Sequence, residues 1–168
     1  MSLDRWKPSV TVAAVIEEGG RYLLVEEHTA EGLRLNNPAG HLDPAESPQE
    51  AVVREVREEA ARHFTPSHLL GVYLARFQRP ERDEDITYVR LAFAGHVGEV
   101  IAGLPLDHGI VRTLWMTPAE IRASADRHRS PLVMRCIEDH LAGLRYPLEL
   151  VTTHASVWAP DVKRVVPA

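Results

Sequence analysis

A chain of 168 residues, 45% apolar and 26% charged, is long enough to bury a substantial core and has the composition of a globular protein. Its formal charge of −5, with no basic run, argues against general attraction to nucleic acid polymers or acidic membranes. A single cysteine, Cys136, rules out an intramolecular disulfide and a cysteine-rich zinc centre. The chain shows neither a leader-peptide pattern nor an apolar run of about 18 residues, so a cytoplasmic protein is expected.

Val10 to Ile16 is apolar apart from Thr11 and reads as a central strand, which Glu17-Glu18-Gly19-Gly20 turns back into an antiparallel strand from Arg21 to Glu26. Residues 28–37 read as an irregular loop with a short extended piece at Leu33-Arg34-Leu35. Asn37-Pro38-Ala39-Gly40-His41 reads as a turn, where Gly40 takes a positive φ or admits phosphate close to the backbone. Ser47-Pro48-Gln49-Glu50 has capping-box spacing and starts a helix, which either ends near Ala61 or runs on toward Phe64 ahead of Pro66. Strands are expected at Leu69–Phe77 and Ile86–Val97, joined by an exposed polar loop over 78–85. A short strand follows at Val111–Met116, then a helix capped by Thr117-Pro118-Ala119-Glu120 and a last helix over Leu132–Leu141, in which Cys136 is a buried structural thiol. The pattern has no repeats or linkers and predicts one mixed α/β domain over 1–168, with a loose tail after about 155 that includes Pro160–Ala168.

The first helix carries the chemistry. Val52, Val53, Val56 and Ala60 share one sector, whereas Glu55, Glu58 and Glu59 occupy another at i, i+3 and i+4 spacing. Like charges at these spacings repel. A hard divalent cation reverses that sign, because Mg²⁺ takes carboxylate oxygens together with substrate phosphates.

Gly40, Glu46, Arg54, Glu55, Val56, Glu58 and Glu59 stand at the spacing of a family signature: glycine, five residues, glutamate, seven residues, Arg-Glu, an aliphatic residue, any residue and Glu-Glu. On these residues the chain resembles the Nudix hydrolase family. It departs at the signature's end, with Ala61 at the glycine position and Arg62 at the following aliphatic one. Further similarity over residues 6–150, at Lys7–Val12, Val25–Glu27, Asn37–Leu42, Arg129–Val133 and Arg145–Glu149, points to the bacterial Nudix phosphatase branch that acts on thiamine pyrophosphate, a related pyrimidine pyrophosphate and nucleoside di- and triphosphates.

The resemblance implies an α+β Nudix fold, a mixed sheet packed between helices. It implies Mg²⁺, with Mn²⁺ as a substitute, held by Glu55, Glu58, Glu59 and the Ala39 carbonyl, with Glu46 and Asp107 as auxiliary carboxylates. Arg54 orients the carboxylates, and Glu55 or Glu58 accepts the proton or positions the group that does. Arg34, His41 and Tyr88 are candidate substrate contacts; Trp6, Tyr22, Phe77 and Trp115 are further rings able to stack a heterocycle, and Arg76, Arg90, Arg129 and Arg145 further cations. The expected reaction is metal-assisted attack of water on a phosphoanhydride, in a monomer or homodimer acting on a phosphorylated small molecule. An ADP-ribose-type hydrolase and a non-catalytic nucleotide-binding module are the alternatives.

Overall fold

In the computed structural model, which describes residues 5–159, the first apolar run becomes strand β1 (Ser9–Glu18), and Gly19 and Gly20, with φ of 57° and 79°, turn it into β2 (Arg21–Thr29). Positive φ at both turn residues matches the right-handed twist of a hairpin, and only glycine adopts it without strain. The two strands pair only at this end, Glu17 with Tyr22 and Glu18 with Arg21, and then diverge. β1 enters a mixed group with β4 (Ala39–His41), β6 (Glu84–Val100) and β5 (Arg62–Arg79), in which β1 and β6 are parallel. β2 enters an antiparallel group between β3 (Gly32–Asn36) and β7 (Ile110–Met116). Together they make a seven-stranded sheet, the expected mixed α+β architecture.

Alternation along β1 and β6 divides the core. Val12, Ala14, Ile16 and Phe93 meet Val52, Val56 and Ala60 of helix α1 (Pro48–Ala60) on one face. Val15, Ala92 and Ala94 meet Val133, Cys136 and Ile137 of α3 (Leu132–Leu141) on the other. Because side chains at i and i+2 share a face, Thr11 and Arg90, which are register partners, lie on the α3 side. A short helix, α2 (Pro118–Ala123), starts at the expected capping box on Thr117 and buries Ile121 in the second cluster. Cys136 is buried there as well.

Four expectations are corrected. The 37–41 turn contains strand β4, whose residues pair with Thr11, Val12 and Ala13 of β1, and Gly40 does not have a positive φ. β5 begins at Arg62 rather than Leu69, since register shifts around Pro66 accommodate a residue that cannot donate to the ladder. The polar 78–85 loop shrinks to a 3₁₀ turn at Pro80–Arg82, because Arg79 and Glu84 face each other across the strands and Arg76 pairs with Asp85. Residues 28–37 are not an irregular loop, because β2 runs on to Thr29 and pairs back through β3, from Thr29 with Gly32 to Val25 with Asn36. Of the two ends weighed for α1, the one near Ala61 is found. The described residues 155–157 form a 3₁₀ turn, and Pro160–Ala168 lie outside the described residues.

Ala61 closes α1 in the left-handed region (φ 49°, ψ 43°), its N–H bonded to the Arg57 carbonyl. A Cβ there costs about 1–2 kcal/mol, against about 0.8 kcal/mol for a buried methyl. Ala61→Gly is therefore expected to leave stability between unchanged and roughly 1 kcal/mol higher. Thermal unfolding that shows a clear loss contradicts this cap.

Candidate active site

The phase of α1 is set at its first turn. Ser47 Oγ accepts the Glu50 N–H and Glu50 Oε2 accepts the Ser47 N–H, at 3.2 and 2.7 Å. With Val52 and Val56 packed inward, Glu55 and Glu59 come against β4 and Glu58 stays half-exposed. A Cβ built on Gly40 would fall on the Glu55 carboxylate, so a larger residue here would push that carboxylate aside.

Arg54 ties these groups together. Its Nε and Nη2 donate to the two oxygens of Glu46, at 3.0 and 2.8 Å, while Nη1 donates to Glu55 at 2.7 Å and to Glu58 at 3.1 Å. Nη2 also donates to the His41 carbonyl at 2.9 Å, which joins helix to loop. The guanidinium holds the Glu46 carboxyl below its ordinary range, whereas burial pushes Glu55 upward despite the same partner.

Glu59 accepts the Ala39 N–H at 2.8 Å and, among the described residues, forms no ion pair. Burial, reinforced by the charges of Glu55, Glu27 and Asp107, pushes its pKa up to about 8. Asp107 sits in the β6–β7 connection, and its N–H donates 2.8 Å to the Glu58 carbonyl, so the structure brings it beside the helix.

Among the described residues, no three His, Cys, Asp or Glu side chains already converge to hold a metal ion. Glu55 and Glu58 are turned onto Arg54, and Glu59 onto Ala39. The donor set nevertheless fits a hard cation: three carboxylates share one guanidinium, and the buried Glu59 beside them retains its proton near neutrality.

Ala39, Gly40 and His41 also border a cavity of about 230 Å³. Tyr88 and Phe77, at a ring separation of 5.7 Å, line it with Arg79, Arg90 and Arg129. His41 and Tyr88 both line this cavity, with ring centroids 6.1 Å apart. Arg34 does not line it, and its Nη1 lies 3.5 Å from the Leu33 carbonyl. Arg76 is spent on Asp85, and Arg145 lies beside His68 and His140. Tyr22 is buried with its hydroxyl on His140, Trp115 packs at the core edge under Arg62, and Trp6 is exposed.

Sequence reasoning missed Thr11, Glu27, Asn36 and Arg79 in the cavity wall. The signal was weak but present. Thr11 interrupts an apolar strand, and of consecutive glutamates in β2 one must face inward; Glu26 takes Arg112 and Arg127 as partners, leaving Glu27 to the cavity.

A model of the NUDIX domain matches residues 5–136. Phosphatase NudJ of Escherichia coli strain K12 is 36% identical over 147 residues, which cover 87% of this chain and 92% of that protein. A solved NUDIX hydrolase from Nitrosomonas europaea superposes with a TM-score of 0.81 at 47% identity, covering 88% of this chain and 98% of that one. An ADP-ribose pyrophosphatase from Streptococcus suis shares the fold, with a TM-score of 0.58 at 16% identity over 80% and 92% of the two chains.

The raised Glu59 carboxyl makes a pH prediction for the metal-free protein. An unfolded glutamate ionises near 4.5, whereas folded Glu59 keeps its proton to about 8, so its contribution to stability is present below 4.5 and is lost as pH rises to 8. His68, His128 and His140, whose pKa values are lowered by burial, act in the opposite sense near 6.5, so the comparison needs a variant. In chelator, Glu59→Gln is expected to match the native protein in denaturant unfolding near pH 5 and to exceed it near pH 8. A constant difference across that range removes the assignment.

Proposed function

We propose that this chain, which belongs to the Nudix family of phosphohydrolases, is a Mg²⁺-dependent phosphatase acting on a small heteroaromatic diphosphate or triphosphate. Candidate substrates are thiamine pyrophosphate, a related pyrimidine pyrophosphate and simple nucleotides. The observation that carries this reading is the continuity of the Arg54-centred carboxylate cluster, through Ala39–His41, with a cavity that holds two aromatic rings and three arginines. The similarity to a phosphatase over most of both chains supports a terminal phosphate as the leaving fragment.

Glu55, Glu58 and Glu59 would hold the metal, with the Ala39 carbonyl as a further donor. A bound Mg²⁺ supplies charge neutralisation at phosphoryl oxygens and lowers the pKa of water. Arg54 keeps Glu46, Glu55 and Glu58 in register and, through the His41 carbonyl, holds the loop against the helix. Glu55 is the better proton acceptor of the two candidates, since its carboxylate abuts Gly40 at the cavity wall while Glu58 faces solvent. Asp107 adds negative charge beside Glu59. His41 and Tyr88 flank the substrate, and Arg129 is placed to meet its phosphates, whereas Arg79 is already paired with Glu31 and Glu84. No helix among the described residues is long and apolar enough to cross a membrane, and a cytoplasmic location is part of the proposal.

An initial-rate panel with Mg²⁺ tests this reading, using thiamine pyrophosphate, nucleoside di- and triphosphates and ADP-ribose, with products resolved. Phosphate release from the first groups is expected. Selective ADP-ribose cleavage overturns the substrate assignment, and ligand binding without any turnover makes the chain a non-catalytic module. Glu59→Gln is expected to lower turnover on the order of 10²-fold or more, with circular dichroism unchanged. Native-like turnover in that variant sinks the ligand set.

A further inference from the structure

The inner wall of the cavity carries polar atoms that the proposed hydrolysis does not use. Thr11 Oγ1, Glu27 Oε1, Asn36 Oδ1 and Arg90 Nη1 are all buried, and none has a hydrogen-bond partner among the described residues; Arg129 Nε approaches Glu27 Oε1 only to 3.9 Å, beyond hydrogen-bond distance. All four residues line the same cavity. Thr11, Asn36 and Arg90 are more than nine-tenths buried. Leaving one such atom unpaired is costly, and four on one wall point to a ligand with a matching edge.

Neighbouring strands bring them together. Thr11 of β1 and Arg90 of β6 are register partners on the α3 side of the sheet. Glu27 and Asn36 come from β2 and β3, two strands paired along their length. Asn36 and Glu27 are diagonal neighbours on one face of the β2–β3 pair, and the amide stands with its oxygen free; turning that oxygen toward Glu27 would set it against the carboxylate. Arg90 leans on the Cys136 thiol with Nη1 left over.

The free groups are therefore two fixed acceptors, Glu27 Oε1 and Asn36 Oδ1, one fixed donor, Arg90 Nη1, and a hydroxyl that serves as either. A phosphate is a poor occupant, because a carboxylate and an amide oxygen would face its oxygens. Rings suit the place better: Phe77 and Tyr88 offer aromatic surface, with Ala75 and Leu132 as apolar wall.

We propose that Thr11, Glu27, Asn36 and Arg90 form a specificity subsite that reads the edge of the substrate's heterocycle and selects an amino group next to a ring acceptor over the corresponding oxo form. The amino hydrogens meet Glu27 and Asn36, and the neighbouring ring nitrogen or carbonyl accepts from Arg90. An oxo group at the same position sets acceptor against acceptor and leaves buried groups unpaired, which is how a polar site rejects a near-isostere. The inference rests on the proposed function for placing a ring in this cavity, and its test is made independent of turnover.

Equilibrium binding by calorimetry, with Mg²⁺ present, compares the non-hydrolysable α,β-methylene diphosphates of cytidine with uridine and of adenosine with inosine. The native protein is expected to bind the amino member of each pair about tenfold or more tightly. Glu27→Gln, which adds a donor without changing volume, is expected to bring each pair within about twofold. Equal affinities in the native protein, an oxo preference or no binding of any of the four overturns the subsite. Asn36→Ala provides a second variant and is also expected to shrink the amino preference. Amino-selective binding without phosphate release from any substrate keeps the subsite and overturns the hydrolase reading. Turnover with no amino preference does the reverse.

Discussion

One guanidinium holds the functional region together. Arg54 donates to Glu46, Glu55, Glu58 and the His41 carbonyl, so a single side chain joins the segment before α1, the helix and the end of β4. Charge-assisted bonds of this kind are short and directional, and the planar guanidinium spreads them across several acceptors. The cluster is still under-neutralised. Glu59, buried against Ala39 and surrounded by negative charge, keeps a proton near neutrality, and this imbalance suits a divalent cation.

The second constraint is the two-sided use of β1 and β6. Their α1-facing residues are packed and apolar, and this packing fixes the helix that carries the carboxylates. The opposite face changes character along the strands, from Val15, Ala92 and Ala94 in the α3 core to Thr11, Arg90 and Tyr88 in the cavity wall. Packing at one end therefore positions a polar cavity at the other, and a sheet is rigid enough to hold both. β2 repeats the logic with identical residues. Glu26 faces Arg112 and Arg127 and is held low in pKa, while Glu27 faces the cavity and is raised by burial.

The candidate site was legible to the extent that its residues are close in sequence. Glu55, Glu58 and Glu59 follow from helical spacing, and Ser47 and Glu50 from capping chemistry. Arg54 was readable only with the family signature, because a helix surface arginine is ordinarily solvated; its four acceptors come from three separate stretches of chain. Arg34 shows the opposite failure. Nearness in sequence to the loop suggested a substrate contact, but the cavity wall takes Asn36 from β3 and not Arg34.

By itself, the sequence determined the elements with strong local signals: the β1–β2 hairpin at Gly19-Gly20, the capped starts of α1 and α2, the span of α3 and the acidic face of α1. These depend on backbone conformation and on spacings of a few residues, which local chemistry controls. Tertiary structure decided that residues 39–41 are a strand on β1, that Gly40 abuts the Glu55 carboxylate, and that Thr11, Glu27, Asn36 and Arg90 share one wall. Each of those outcomes depends on which strands become neighbours and in what register. Pairings of that kind join residues far apart along the chain, as with Thr11 and Arg90, and no local spacing encodes them.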